Sequence, residues 1–248
     1  MEQGLIYVTG ASRGIGAMIS CELASRGFEV GCLSRSGDRP HVDNVAADIA
    51  ARWHPVACDV MDDKALKDAM EALRGKLGVP VRGLVNNAGL HTEAPTIDLP
   101  MDEFRKLMDI NAVSVLRACQ LVHPLLKDNG GGVIVNIGSF YDRLGVKRNV
   151  SYCASKAAVG AITRCLAVEW AKDGIRVIDI APGYIATDLN REAMESGPLR
   201  AYLEKRIPRR SPGTARDVAV LVAALFQDGM EFLTGETIYI DGAQSVSI

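Results

Sequence analysis

The sequence predicts an α/β fold, a single domain over residues 1–248 built on a doubly wound, seven-stranded parallel sheet flanked by helices. Three observations lead there. Seven short apolar runs, at 5–9, 29–33, 56–59, 83–86, 133–138, 176–181 and 236–240, alternate with helical stretches, the pattern of strand-helix-strand units that bury a parallel sheet between helices. A glycine-rich turn joins the first run to the first helix. A chain of 248 residues, 48% of them hydrophobic, is long enough for one substantial core. No internal repeat, linker or low-complexity tract divides it.

Taken in order, the first run ends in Thr9 and passes into Gly10-Ala11-Ser12-Arg13-Gly14-Ile15-Gly16, followed by a helix pattern through Ile19, Leu23 and Ala24. Glycines at a strand-to-helix turn permit positive φ and close backbone approach, and the helix that follows offers unpaired N–H groups to a phosphate. The spacing differs from the common Gly-x-Gly-x-x-Gly fingerprint, so on its own it is equally an ordinary glycine turn. The second run ends in Ser34-Arg35, the third in Asp59-Val60 and the fourth in Asn86-Asn87-Ala88-Gly89. Asn111 sits in a long helical stretch, the fifth run precedes Ser139, and the sixth leads into Pro182-Gly183, Ile185 and Thr187. In such a sheet right-handed crossovers place the ligand crevice at the carboxyl ends of the strands, where these residues fall. One long irregular stretch remains, 184–214, interrupted by Gly197, Pro198, Pro208 and Pro212.

Tyr152 and Lys156 carry the clearest chemical signal. The run 151–172 is rich in alanine and free of proline, so it reads as a helix with Ser151 as N-cap. A spacing of four then puts both side chains on one face, about 6 Å apart along the axis. A free phenol has a pKa near ~10, and a neighbouring ammonium favours its ionised form, which brings it toward working pH for proton exchange. An isolated pair of this kind is otherwise a solvated surface feature.

Together these segments resemble the short-chain dehydrogenase/reductase family across essentially the whole chain, each motif falling in the family's order. The resemblance implies a Rossmann fold, a nicotinamide cofactor and a catalytic group of Asn111, Ser139, Tyr152 and Lys156. Tyr152 would be the proton donor and Ser139 a hydrogen-bond donor to the reacting oxygen. Lys156 would hold the ribose and acidify the phenol, and Asn111 would interrupt its helix and position a water. Gly10, Ser12, Arg13, Gly14, Ile15 and Gly16 would hold the pyrophosphate, Asp59 and Val60 the adenine, and Asn86, Asn87, Ala88 and Gly89 the adenosine side. Pro182, Gly183, Ile185 and Thr187 would face the carboxamide, with 184–214 as a mobile cover over the substrate.

Charge selects the cofactor. An NAD site usually places a carboxylate after the second strand, whereas here Ser34 and Arg35 stand there, with Arg13 close by in the turn. A hydroxyl and guanidinium groups suit a 2′-phosphate, so NADPH/NADP is expected, with Asp38 as the one opposing charge. The overall pattern, including the residues near Phe232 and Tyr239, looks most like 3-oxoacyl-acyl-carrier-protein reductases, an activity of fatty acid biosynthesis. The basic residues Arg191, Arg200, Lys205, Arg206, Arg209 and Arg210 would suit an acidic carrier, or else form a solvated helix face with Glu192, Glu195 and Glu204. Phe140-Tyr141-Asp142-Arg143-Leu144 depart from the small residues common after the serine and would narrow the pocket or face a neighbouring subunit. His91 reads as a loop histidine or a pocket contact. The runner-up is therefore an NAD(P)-dependent alcohol, polyol or cyclic-ketone dehydrogenase. A non-catalytic NADP-binding sensor has no need for the four catalytic groups together.

A net charge of −2 gives no electrostatic case for nucleic acid. No apolar run reaches membrane-spanning length, and Met1-Glu2-Gln3 leads straight into the first strand, so a cytoplasmic location is expected. Six cysteines without Cys-x-x-Cys spacing read as free thiols, and four histidines lack metal-ligand spacing. A homotetramer or homodimer is expected from the resemblance, through the helices bearing Asn111 and Tyr152 and the last strand.

Overall fold

The computed structural model describes residues 3–188, 190, 192, 194 and 196–247. Strands β1 (Leu5–Thr9), β2 (Glu29–Ser34), β3 (Trp53–Ala57), β4 (Val81–Asn86), β5 (Gly132–Ile137), β6 (Ile175–Pro182) and β9 (Thr237–Ile240) form one parallel sheet in the order β3-β2-β1-β4-β5-β6-β9. All seven expected strands are present. The third begins earlier than the apolar pattern suggests because its first residues include His54 and Pro55, and among the described residues β3 pairs with β2 alone. A proline, which has no N–H to donate, is tolerated at such an edge.

Helices lie on both faces. α1 (Gly14–Ser25) and α8 (Ala215–Ala224) pack Ile19, Leu23, Val218 and Val222 against Ile6, Val8, Val135 and Ile180 of the sheet. On the other face α3 (Asp63–Leu77), α5 (Ser114–Asp128) and α6 (Val150–Trp170) bury Leu66, Met70, Val122, Leu126, Val159 and Leu166 against Leu5, Tyr7, Ile134 and Val177. Short α2 (Ala47–Ala50) and α4 (Met101–Met108) lie between them in the chain. Strands buried on both faces are nearly all apolar, as a parallel sheet between two helical layers requires.

Two expectations are corrected. The helix bearing Tyr152 starts at Val150 with Asn149 at its N-cap, and Ser151 lies inside it, buried. The Asn149 amide makes no capping bond and turns instead to His91 and to the Lys147 carbonyl. The stretch 184–214 is not irregular throughout. It holds α7 (Gly197–Arg206) and a two-stranded ribbon of β7 (Ile185–Ala186) and β8 (Gly213–Thr214). Pro198, an interruption by sequence pattern, lies in the first turn of α7, where a missing N–H costs nothing.

Candidate active site

The order reverses between β1 and β4, and the loops at their carboxyl ends open a crevice there. Gly14 takes φ 59°, a conformation that disfavours side chains. A Cβ on Gly16 would overlap the Gly10 carbonyl oxygen, so only glycine lets helix and turn approach. The turn is stapled to β4: the Asn87 amide donates to Thr9 O (3.0 Å) and Gly10 O (3.2 Å), and Thr9 Oγ1 accepts from the backbone N–H of Asn87 and Ala88. Arg13 caps α1 without a side-chain bond, and the first turn has no acidic residue. Its N–H groups are thus available to an anion, the requirement for seating a pyrophosphate. Ser12 and Ile15 complete the turn. Thr187 overlies it, its methyl 3.7 Å from where a Gly14 Cβ would be.

Ser34 is buried at the end of β2, its hydroxyl accepting from Gly37 N–H. Arg35 and Arg13 are exposed, and neither forms an ion pair among the described residues. Asp59 is exposed beyond β3 and accepts from Met61 N–H, with Val60 beside it. Gly89 lies next to Asn111 Oδ1 and Lys156 Nζ. At the end of β6, Gly183 N–H bonds Ile240 O, Ile185 is buried, and Thr187 is held by Asn190. Asn86 departs from its expected place. It is buried beneath the crevice and donates to Asn136 Oδ1 and Cys119 Sγ, so it belongs to the core.

The four catalytic candidates converge. A single π-helical turn, Asp109–Val113, separates α4 from α5 and contains Asn111. This is the interruption expected of that residue, and π turns recur at functional sites. The Asn111 amide clamps the loop after β4, accepting from Leu90 N–H and donating to Leu90 O, both at 2.8 Å. It also donates to Ser155 Oγ (3.0 Å), one residue before Lys156. Lys156 is buried, with Nζ donating to Ile137 O at 2.7 Å and lying 5.6 Å from the Tyr152 ring centre. Ser139 follows β5 and caps a 3₁₀ turn, Phe140–Arg143, by accepting from Tyr141 N–H.

The electrostatics differ from the simple expectation of an acidified phenol. Burial raises the Tyr152 pKa above its ordinary value, and the hydrogen bond with Ser139 opposes that rise. Burial also lowers Lys156 to about 8, against the opposing charge of Asp179. Desolvation penalises the charged form of both groups, so in the protein alone the lysine does not bring the phenol below its free value.

Aromatic walls surround Tyr152. His91 packs edge-on with ring centres 4.6 Å apart, and its Nε2 bonds Asn149 Oδ1 at 2.6 Å. Tyr141 meets the Tyr152 ring at 5.9 Å and shares a 3.0 Å hydroxyl–hydroxyl bond with Tyr184. Burial pushes the phenols of Tyr141 and Tyr184 up, so both remain neutral hydroxyls. Tyr141 of the bulky segment after Ser139 and His91 thus both lie against the Tyr152 ring. The wall is anchored from behind: Tyr239 donates to Asp142 Oδ2 (2.8 Å), while the Arg143 guanidinium lies 3.6 Å from the Tyr239 ring centre and donates to Ser245 Oγ. Tyr184 and Asn149 carry no signal in the sequence because their roles depend on loops that meet only in space.

The basic cover residues are mixed in their surroundings. Arg200 pairs with Glu204 at 2.7 Å within α7, and Lys205 and Arg206 close that helix, as a solvated face would. Arg191 and Glu195 lie outside the described residues.

A glycine-turn anion seat beside a half-buried Tyr152 and the buried Lys156, Ser139 and Asn111 defines a dinucleotide-dependent oxidoreductase. A sequence profile described as "Enoyl-(Acyl carrier protein) reductase" matches residues 10–243. A tropinone reductase homolog from Arabidopsis thaliana is 34% identical over 97% of this chain and 91% of its own. A glucose 1-dehydrogenase from Gluconobacter oxydans is 32% identical over 96% of this chain and 90% of its own. The crystal structure of a short-chain type dehydrogenase/reductase from Mycobacterium marinum superposes with a TM-score of 0.88 at 30% identity, covering 98% of this chain and 96% of that one. The chain belongs to the short-chain dehydrogenase/reductase family, NAD(P)-binding enzymes that act on alcohol and ketone groups of small molecules.

Proposed function

We propose that the protein is an NADP(H)-dependent oxidoreductase that interconverts a compact alcohol, polyol or cyclic ketone with its partner carbonyl or alcohol. The observation that carries the substrate class is the ring-lined, hydroxyl-bearing wall of Tyr141, Tyr184 and His91 around Tyr152. Flat aromatic faces cover a small saturated ring, and neutral phenols can donate to or accept from its hydroxyls. The relatives, a tropinone reductase homolog and a glucose 1-dehydrogenase, point in the same direction. The 3-oxoacyl thioester reading gives way on both counts: neither of these relatives bears the name of a 3-oxoacyl reductase, and Arg200, one of the cover residues that would greet an acidic carrier, is paired within its own helix.

When bound, the nicotinamide supplies or accepts the hydride. The chain's own groups do the rest. Tyr152 donates its proton to the substrate oxygen in the reducing direction, and Ser139 hydrogen-bonds that oxygen as charge develops on it. Lys156 would hold the ribose hydroxyls and offer a positive charge that favours the phenolate left behind. Because the Asn111 side chain is occupied by Leu90 and Ser155, its part in proton resupply falls to its main chain. Arg13 and Arg35, exposed and outside any ion pair among the described residues, would hold the 2′-phosphate. Asp59 with Val60, and Asn87 to Gly89, would face the adenosine, and Pro182 to Thr187 the carboxamide.

A dimeric or tetrameric assembly and a cytoplasmic location belong to the same reading. The exposed apolar Val113 and Val168, at 55% and 81% of full exposure on the segments around Asn111 and on α6, support assembly there. The deciding experiment is a turnover screen with NADPH and NADP of sugars, polyols and cyclic ketones against acetoacetyl thioesters. Preference for a thioester would overturn the substrate class.

A further inference from the structure

Asp179 is a fully buried carboxylate on β6, next to the edge strand β9, on the face covered by α6. The register sets it between Asn136 of β5 and Thr237 of β9. Thr237 Oγ1 donates to Oδ2 at 3.1 Å, and Oδ1 has no hydrogen-bond partner among the described residues. The surroundings are shaped to admit it. A Cβ on Gly138 would overlap Oδ1 and come within 2.7 Å of Oδ2, and one on Gly160 would reach Oδ2 at 3.9 Å. Gly138 immediately precedes Ser139, and Gly160 lies one helical turn beyond Lys156. The sheet position thus opens onto the stretch of α6 that carries the reacting groups.

A buried carboxylate met only by neutral donors, here Thr237 and the Gly138 backbone, is strongly disfavoured unless a charge compensates it. The compensating charge is at hand. Lys156 is itself buried, and its one hydrogen bond among the described residues goes to the carbonyl of Ile137, next to Gly138. We propose that Asp179 is a positioning residue, the buried counter-ion that keeps the Lys156 ammonium charged and seated for the ribose and the phenol. The inference rests on the oxidoreductase reading of the site and adds a residue to it.

The mutual influence of the two groups agrees in sign. The Asp179 charge opposes the fall in the Lys156 pKa caused by burial, and the Lys156 charge opposes the rise of Asp179 to about 6. The other ionisable groups that face Asp179 are few. From the turn after β5 comes Asp142, whose charge disfavours ionisation of Asp179, and from β9 comes the phenol of Tyr239. On α6 itself the exposed Arg164 reaches toward Gly160. Lys156 is the buried cation among them.

The test combines two measurements on wild type and Asp179→Asn. NADPH affinity is titrated by fluorescence across pH, and unfolding free energies complete a cycle with Lys156→Met and the double variant. Loss of the counter-ion should move the alkaline fall in NADPH affinity down by about one pH unit or more. Each single variant strands one buried charge and the double removes both, so the double should be less destabilised than the sum of the singles. An unmoved midpoint together with additive unfolding energies would overturn the proposal. Asp179→Ala takes over both measurements if the asparagine amide, pressed against Gly138, prevents folding. Non-additive unfolding in a protein that binds no nicotinamide nucleotide would sustain the pairing and refute the cofactor reading instead.

Discussion

Among single residues, Tyr152 has the most direct prediction. Tyr152→Phe removes one hydroxyl from a packed aromatic cluster, so turnover should fall by about 10²–10⁴-fold while NADPH affinity, read by fluorescence titration, stays near wild type. Lys156 predicts a pH dependence. Its ammonium is lost as pH rises through about 8, and a group that must be charged to hold the ribose then ceases to bind, so NADPH affinity should decline above that pH. Arg35→Ala should lower the preference for NADPH over NADH by about ten-fold or more, the value of one charge-assisted hydrogen bond to a phosphate, measured as the ratio of kcat/KM values. The spacing of Tyr152 and Lys156 makes this group legible in the sequence, since one helix fixes both. Asp179 is not legible there: nothing in its own strand marks it, and its meaning comes from Gly138 and Lys156, each distant in sequence.

Secondary-structure elements are legible where period and buried face agree. β1, β4, β5 and β6 are mostly apolar runs buried on both faces and stand out, polar residues such as Asp179 being the exceptions. β3 and the helix in the cover are harder to read, because Pro55 and Pro198 look like breaks unless their positions at a sheet edge and in a first helical turn are known. The start of α6 is misleading because Asn149, which faces His91, lacks the side-chain bond that normally reveals a cap. At α8 the sequence sign is intact: Thr214 and Asp217 form a reciprocal capping box, with Thr214 Oγ1 accepting from Asp217 N–H at 3.2 Å and Asp217 Oδ2 accepting from Thr214 N–H at 2.8 Å. Thr214→Ala should therefore lower stability by about 1 kcal/mol in urea unfolding. Because α8 packs on α1, the loosening should be felt at the anion seat as a modest loss of NADPH affinity.

For the molecule as a whole, the buried acid gives a signed dependence of stability on pH. Asp179 titrates near about 6 in the fold and at its ordinary lower value when unfolded. Between those values the folded state binds the extra proton, so this group's contribution falls as pH rises from about 4 to about 6. The unfolding free energy of wild type relative to Asp179→Asn should shift in favour of wild type as pH is lowered through that window; a flat difference would contradict it. The architecture itself follows from the alternation of elements, whereas the substrate walls do not, because Tyr141, Tyr184 and His91 arrive from three separate loops. One of those walls has a further consequence. Its supporting residues, Asp142 and Arg143, grip Tyr239 and Ser245 at the far edge of the sheet, the strand expected to border a second subunit. Dilution that separates subunits would then relax the pocket's rim from outside, and KM for the substrate should rise at protein concentrations where the complex dissociates, with the Tyr-Lys machinery itself untouched.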